Sequence, residues 1–307
     1  MGKHLGRFHI VGNSMMVGLI GLGLVGSALV KRFTCADLEV IGFDIDETKV
    51  KESVNNGMVA AGSPQHVAEQ VDRVMLSLPN SSVVDQVVKG DGGVAAATEP
   101  PEIIIDTTTA DPVMSVTLGD WLQEREIGFL DATILGSSKQ VEDGDVLLMV
   151  GGDSAVVSTC DDIFSTFARR VFHMGEQGKG AEAKLVVNLV LGLNRLVLAE
   201  GLVLGQKAGM DASALLDVLV EGAAYSRVMD AKGPKMIDGD FTPQARLAQH
   251  LKDVELILEL GARTDTPLPV SALHAQILRS GVAQGFGGDD NSAVIRALRR
   301  MAGLEEN

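Results

Sequence analysis

A glycine-rich turn near the start of the chain limits the fold more than any other feature of the sequence. Gly21-Leu22-Gly23-Leu24-Val25-Gly26 directly follows the apolar run Val17–Ile20 and precedes a stretch with helical periodicity. In this context the first glycine permits a tight turn, the second lets the backbone approach a pyrophosphate, and the third lets the helix pack on the strand. The pattern therefore predicts a dinucleotide site at a helix N-terminus. A glycine turn without a ligand is the alternative.

Short apolar runs alternate with helical stretches from Val17 to about Gly175. The runs that we predict to be strands are Val17–Ile20, Glu39–Phe43, Arg73–Leu78, Glu102–Asp106, Gly128–Leu135, Val146–Val150 and, with a weaker pattern, Val171–Met174. Capping residues predict helices between them, namely Asn56-Gly57 after Glu47–Asn55, Ser63-Pro64, Ser81 or Ser82, and Asp111-Pro112. This alternation is typical of an α/β fold with a doubly wound, Rossmann-type sheet.

The strand pattern stops after Gly180, and long helical periodicity replaces it. The predicted helices are Ala181–Ala208, Asp211–Val220, Pro243–Gly261, Val270–Ser280 and Ser292–Met301. We therefore expect an extension over residues 1–16, a cofactor-binding Rossmann domain over 17–177, and an all-α substrate and oligomerisation domain over 178–307.

An acidic residue follows the second apolar run at the position that sets cofactor preference. Asp44 lies 18 residues beyond Gly26, close to the spacing of about 20 at which a carboxylate binds the adenosine ribose hydroxyls. A carboxylate there also repels a 2′-phosphate, and the nearby Asp46 and Glu47 add negative charge. The sequence therefore favours NAD over NADP. Asp46 has the alternative role of a helix N-cap.

Two predicted strands end in polar loops at the edge of the sheet where ligands bind. These loops are Leu78-Pro79 after the third strand and Thr107-Thr108-Thr109 after the fourth. Thr107 and Thr108 either contact a ligand or serve the turn.

The first long helix carries polar residues in a narrow stripe among apolar neighbours. Lys184, Asn188 and Arg195 fall on one face at about 100° per residue. Burial would lower the pKa of Lys184 and suit it to proton exchange with a hydroxyl or carbonyl oxygen. The alternative is a lysine that extends to the surface at the helix start.

Composition excludes several classes of function. The net charge is −15 and the Lys and Arg residues are dispersed, which opposes binding to nucleic acid. The two cysteines and the scattered histidines form no ligand cluster, so we expect neither disulfides nor a metal, and a reducing cytoplasm is the expected location. The start of the chain lacks a secretory signal pattern, and Leu185–Leu204 contains too many polar residues for a membrane span.

These motifs together resemble the 3-hydroxyisobutyrate dehydrogenase family of β-hydroxyacid dehydrogenases, relatives of 6-phosphogluconate dehydrogenase. The resemblance covers roughly residues 17–302. The motifs that carry it are the glycine turn, Leu78-Pro79, Asp106–Pro112, Asp131–Gly136, Met149–Gly152, Gly178–Asn188, Asp240–Pro243, Lys252-Asp253 and the segment that begins at Gly288.

The resemblance implies oxidation of a small 3-hydroxy acid to a semialdehyde, or the reverse reduction, with a nicotinamide cofactor. It makes Lys184 the catalytic acid/base and Asn188 the residue that orients the substrate. It places Thr109 and Lys252 at the cofactor, beside the glycine turn, Asp44 and Leu78-Pro79. It also implies that the loop Leu135-Gly136-Ser137 binds the substrate carboxylate, and that the chain forms a homodimer or homotetramer.

Several positions depart from the family pattern. The family loop reads Asp-Ala-Pro-Val-Ser-Gly-Gly, whereas this chain has Asp131-Ala132-Thr133-Ile134-Leu135-Gly136-Ser137. Ala245 stands where a Phe is common. Because loss of a polar contact in a pocket changes selectivity, the sequence leaves two alternatives open: reduction of another small semialdehyde of the tartronate, succinic or sulfolactaldehyde type, or a dinucleotide-binding sensor without catalysis.

Overall fold

The sheet of the N-terminal part determines where the functional residues lie. The computed structural model describes residues 16–304, so the predicted extension lies outside the described residues except for Met16. The chain divides into two compact units, one ending at Lys184 and the other beginning at Leu185.

Among the described residues, eight strands form one sheet in the order β3-β2-β1-β4-β5-β6-β7-β8. They are β1 (Met16–Ile20), β2 (Glu39–Phe43), β3 (Val59–Ala60), β4 (Arg73–Leu76), β5 (Ile103–Asp106), β6 (Gly128–Leu135), β7 (Val146–Gly151) and β8 (Ala168–Gly175). Every neighbouring pair is parallel except β6 and β7. The strand order reverses between β1 and β4, which confirms the doubly wound, Rossmann-type sheet.

Helices connect the strands of this unit. They are α1 (Leu24–Cys35), α2 (Glu47–Asn55), α3 (Pro64–Ala68), α4 (Ser81–Lys89), α5 (Pro112–Gln123), α6 (Ser138–Asp143), α7 (Ser154–Ser158) and α8 (Asp161–Phe167). Alternate strand residues enter two hydrophobic clusters: Val17 and Leu19 of β1 lie in one, and Ile20 lies in the other. This alternation places a core on each face of the sheet, as the continuous apolar runs predicted.

The second unit is helical. Its elements are the larger part of α9 (Lys179–Lys207), followed by α10 (Ala212–Glu221), α11 (Arg227–Asp238), α12 (Leu247–Arg263), α13 (Pro269–Ala283) and α14 (Val294–Met301). By length and composition alone, α9 could cross a membrane, a test that core helices of soluble proteins also pass. Leu198, Ala199 and Leu202 of α9 are buried in the hydrophobic cluster of this unit. The expected all-α region after the sheet is thus observed.

Several local predictions were wrong. The structure has Asn80, not Ser81 or Ser82, as the N-cap of α4, because its side chain accepts from the N–H of Val83 at 3.0 Å. Ser81 instead accepts from the N–H of Asp111. The predictions missed β3, which has two exposed residues, and α11, which contains Pro234. The helix predicted from Pro243 begins at Leu247.

Candidate active site

The glycine turn joins β1 to α1 and leaves an open approach for a phosphate group. Gly21 has a φ of +94°, and a Cβ on it would lie 2.3 Å from the carbonyl oxygen of Ser77. A Cβ on Gly26 would lie 1.9 Å from the carbonyl oxygen of Gly21, whereas a Cβ on Gly23 would meet no atom within 4 Å. Gly23 is the N-cap of α1, and no side chain caps the helix. These features fit a dinucleotide pyrophosphate at the N-terminus of α1.

The other residues of the turn pack or bond locally. Leu22 is buried, Val25 packs against the core and Leu24 is exposed. Asp44 follows β2 and accepts hydrogen bonds from the N–H groups of Leu22 at 2.6 Å and Asp46 at 2.8 Å. The acidic side chain thus stands directly beside the glycine turn.

Asp46 has the N-cap role that the sequence left open. Its side chain accepts from the N–H of Thr48 at 2.9 Å at the start of α2. The two carboxylates therefore have different local functions: Asp46 caps a helix, whereas Asp44 contacts the turn.

Two further predicted cofactor loops lie at the same edge of the sheet. Because β1, β2, β4 and β5 are parallel, Leu78-Pro79 and Thr109 follow strands that end at the edge where the glycine turn begins. The hydroxyl of Thr108 accepts from the N–H of Leu78 at 3.1 Å, and the hydroxyl of Thr107 donates to the carbonyl of Leu76 at 2.7 Å. Thr107 and Thr108 thus stabilise the turn.

Strand β6 holds the first turn of the helix that carries Lys184. The buried carboxylate of Asp131 accepts from the N–H groups of Gly178 at 2.8 Å and Ala181 at 2.7 Å. Burial raises the pKa of Asp131, although the backbone N–H groups oppose that shift. The ammonium of Lys184 donates to the carbonyl oxygen of Ile134 at 2.6 Å. The end of β6 therefore determines where this ammonium lies.

The predicted substrate loop caps helix α6, which directly follows it. Leu135 ends β6, and Gly136 has a φ of +156°. Ser137 is the N-cap of α6, and its N–H donates to Oε1 of Gln140 at 3.0 Å. A substrate carboxylate at Ser137 would compete with the side chain of Gln140.

In the helical unit, Asp253 joins two of the predicted site residues. Nδ2 of Asn188, one turn beyond Lys184 on α9, donates to Oδ2 of Asp253 at 3.0 Å. The ammonium of Lys252 lies 3.1 Å from Oδ1 of the same carboxylate. Asn188 and Asp253 are both buried. In the sequence, Asp253 stands out only as part of the Lys252-Asp253 motif, and its spacing from Asn188 gives no signal for this contact.

A charged cluster lies deeper in the helical unit. Lys232 donates to both carboxylate oxygens of Asp290, at 2.9 and 3.0 Å. Burial opposes ionisation of Asp290, but Lys232 and backbone N–H groups hold its pKa below the usual value. Burial lowers the pKa of Arg195 to about 10, while Asp290 and Asp253 oppose the shift. The pKa of His274 falls to about 4 because of burial and the charge of Arg195.

Over residues 16–304, no group of three His, Cys, Asp or Glu side chains could hold a metal ion. Cys160 is buried, and burial raises its pKa to about 11.

The arrangement has relatives among known proteins. Residues 16–175 match the NAD binding domain of 6-phosphogluconate dehydrogenase, and residues 178–298 match the family described as NAD-binding of NADP-dependent 3-hydroxyisobutyrate dehydrogenase. The chain belongs to the 3-hydroxyisobutyrate dehydrogenase family of NAD(P)-dependent oxidoreductases. It is 34% identical to 2-(hydroxymethyl)glutarate dehydrogenase of Eubacterium barkeri over 95% of this chain and 97% of the relative.

Less similar relatives also match nearly the whole chain. L-threonate dehydrogenase of Cupriavidus necator is 29% identical over 92% of this chain and 96% of its own length. The structure of Mycobacterium tuberculosis 3-hydroxyisobutyrate dehydrogenase with L-serine has a TM-score of 0.83 and 26% identity, covering 93% of this chain and 99% of that chain. The similarity thus includes both the sheet and the helical part.

Proposed function

We propose that this oxidoreductase interconverts a small 3-hydroxy acid and its semialdehyde with Lys184 as general acid/base. The observation that carries the proposal is the hydrogen bond from Nζ of Lys184 to the carbonyl of Ile134. This bond fixes the nitrogen at the carboxyl end of β6, at the edge of the sheet where the glycine turn opens. Proton exchange with a substrate oxygen requires a nitrogen that is held in place and can be either protonated or neutral.

In the oxidation, the neutral amine of Lys184 takes the proton from the substrate hydroxyl as the C–O bond gains double-bond character. Bound NAD supplies the acceptor for the hydride that leaves the same carbon. In the reduction, the ammonium returns a proton to the developing alkoxide. Asn188 orients the substrate, and residues 17–177 and 178–307 serve as cofactor and substrate domains.

Asp44 supports NAD as the preferred cofactor. Its carboxylate lies against the N–H of Leu22 at 2.6 Å, where a 2′-phosphate would meet negative charge. The glycine turn, Leu78-Pro79 and Thr109 complete the cofactor site that we propose at the edge of the sheet. The family also includes NADP-dependent members, so rates with both cofactors decide the preference.

The named activities of the relatives support a small anionic hydroxy acid or semialdehyde as substrate. The relatives act on 2-(hydroxymethyl)glutarate, L-threonate, and glyoxylate or succinic semialdehyde. In this chain, Leu135 offers no hydroxyl, and the N–H of Ser137 is bonded to Gln140. Both features support a substrate other than 3-hydroxyisobutyrate itself.

The test is the initial rate of NADH and NADPH absorbance change with a panel of these hydroxy acids and semialdehydes. We expect NAD-linked turnover that falls by about 10²- to 10⁴-fold in Lys184→Ala. Lys207→Ala, which removes an exposed cation at the other end of α9, is the matched control. Turnover that survives Lys184→Ala would refute the proposed acid/base. Tight NADH binding with no turnover on the panel would favour a dinucleotide-binding sensor.

We also propose a homodimer or homotetramer in the cytoplasm, with neither membrane nor nucleic acid as a partner. The homo-oligomer is supported by an apolar stripe on α9. Each side chain of the stripe is more than half exposed: Val186, Val190, Val197 and Leu204. Their spacing places them within about 40° of one another on the helix. Sedimentation of Val190→Glu beside the wild type tests the interface, and an unchanged oligomer would exclude this stripe.

A further inference from the structure

The amide of Asn188 is held in one orientation by its partner. A carboxylate only accepts hydrogen bonds, so Asp253 selects the NH₂ end of the amide, and Oδ1 of Asn188 is directed away from it. If Asp253 were protonated, it could donate to Oδ1, and the amide could take the reversed orientation. The orientation of Asn188 therefore depends on the ionisation of Asp253.

Arg195 lies on α9, seven residues after Asn188. Asn188, Gly192 and Arg195 share one face of α9, because residues 4 and 7 positions apart on a helix are neighbours in direction. Long helical side chains extend toward the N-terminus, which is the direction from Arg195 to Gly192 and Asn188 on α9. Arg195 is only 3% exposed.

Gly192 provides the close approach of α12 at this level. A Cβ on Gly192 would lie 2.6 Å from Nε2 of His250 and 2.9 Å from Cε1 of His274. His250 and Asp253 are one turn apart on α12. The same turn of α12 therefore contacts Gly192 through His250 and binds Asn188 through Asp253. Arg195 and Asp253 thus belong to one buried layer between α9 and α12.

The guanidinium acts on this layer through its charge. Among the described residues, none accepts a hydrogen bond from its Nε or Nη1. Asp290 is occupied by Lys232 and by the N–H groups of Gln244, Ala245 and Ser292. The charge of Arg195 interacts with the carboxylate of Asp253. In a buried environment of low dielectric constant, a positive charge favours the ionised form of a nearby carboxylate.

We propose that Arg195 is a positioning residue that keeps Asp253 ionised and thereby locks the amide of Asn188 in its substrate-orienting direction. This inference rests on the proposed function of Asn188. Arg195 touches neither substrate nor cofactor in this role. Among residues 16–304, the charged or titratable side chains near the layer include His250 and Lys252 of α12, His274 of α13, and the Lys232–Asp290 pair.

The test compares Arg195→Met, which removes the charge, with Arg195→Lys, which keeps it. We expect Arg195→Met to lower kcat/KM by about 10- to 100-fold near neutral pH. Because loss of the cation favours protonated Asp253, the acid limb of the pH profile should move to higher pH, and part of the activity should return as the pH rises. Arg195→Lys should keep the wild-type profile, as should Lys207→Met, which removes an exposed cation from the same helix.

A double-mutant cycle separates this role from a structural one. In an Asp253→Asn background, Arg195→Met should cause no further fall in kcat/KM, because its effect passes through Asp253. A full additional loss in that background, or an unchanged pH profile in Arg195→Met, would overturn the proposal. Melting temperatures of all variants show whether folding alone explains a loss.

A second readout does not depend on activity. Carboxyl ¹³C NMR, with Asp253 assigned by Asp253→Asn, follows its ionisation directly. We expect Asp253 to take up its proton at a higher pH in Arg195→Met than in the wild type, because the variant lacks the cation that favours the carboxylate. If the wild type shows no turnover, the proposed function fails, while this titration still decides whether Arg195 holds Asp253 ionised.

Discussion

The hydroxyl of Thr133 donates to the carbonyl oxygen of Gly180 at 3.0 Å and joins β6 to the first turn of α9. The family loop carries a proline at the position of Thr133, and proline has no hydroxyl, so this bond is a departure from the family pattern. With the carboxylate of Asp131 on the N–H groups of Gly178 and Ala181, it anchors the helix start four residues before Lys184.

The anchor requires a glycine at position 180. A Cβ there would lie 2.1 Å from the carbonyl oxygen of Asp131 and 2.7 Å from the backbone nitrogen of Gly151. Because backbone atoms cannot move aside as a flexible side chain can, Gly180→Ala should lower the free energy of unfolding by roughly 3 kcal/mol. Urea unfolding measures the change.

The matched control is Gly201→Ala on the same helix. A Cβ on Gly201 would meet no atom within 4 Å, and alanine is favoured over glycine inside a helix by about 0.5–1 kcal/mol. We therefore expect this variant to be more stable than the wild type. Equal effects of the two substitutions would contradict the close packing at Gly180.

Asp44→Ser should change cofactor preference. The substitution removes the carboxylate that opposes a 2′-phosphate, and it also removes the acceptor for the N–H of Leu22. We expect kcat/KM with NADH to fall by about tenfold or more while kcat/KM with NADPH rises, as steady-state rates with both cofactors would show. Asp46→Ser is the control, because Asp46 caps α2 and serine is also a good N-cap. If Asp44→Ser leaves the ratio of kcat/KM with NADH to kcat/KM with NADPH unchanged, Asp44 does not set the cofactor preference.

His274 should make stability depend on pH. Its pKa falls from 6.5 to about 4 in the folded protein because of burial and the charge of Arg195. As the pH falls below 6.5, the unfolded chain binds a proton that the folded protein does not, so stability is lost between these two pKa values. Relative to His274→Gln, the wild type should lose roughly 3 kcal/mol between pH 7 and 4. Chemical unfolding at several pH values tests this, and a constant difference between the two proteins would count against it.

Local patterns predicted most of the sheet. The strands β1, β2, β4, β5, β6 and β7 match the predicted runs to within two residues at either end, because continuous apolar runs and capping residues depend on neighbours in the chain. β3 and α11 escaped prediction: a two-residue edge strand has no measurable pattern, and Pro234 argues against the helix that tertiary packing nevertheless stabilises.

The candidate site shows the same division. The glycine turn and Asp44 were found in the sequence because a phosphate-binding turn and its acidic partner follow a short, fixed spacing. The contact of Asn188 with Asp253 joins residues 65 positions apart, and that of Lys232 with Asp290 joins residues 58 positions apart. The sequence by itself determined the alternation of strands and helices, the glycine turn and the stripe of Lys184, Asn188 and Arg195. Only the tertiary structure decided that Asn188 meets Asp253 and that Lys232 meets Asp290, because the packing of distant helices selects such partners and no local spacing encodes them.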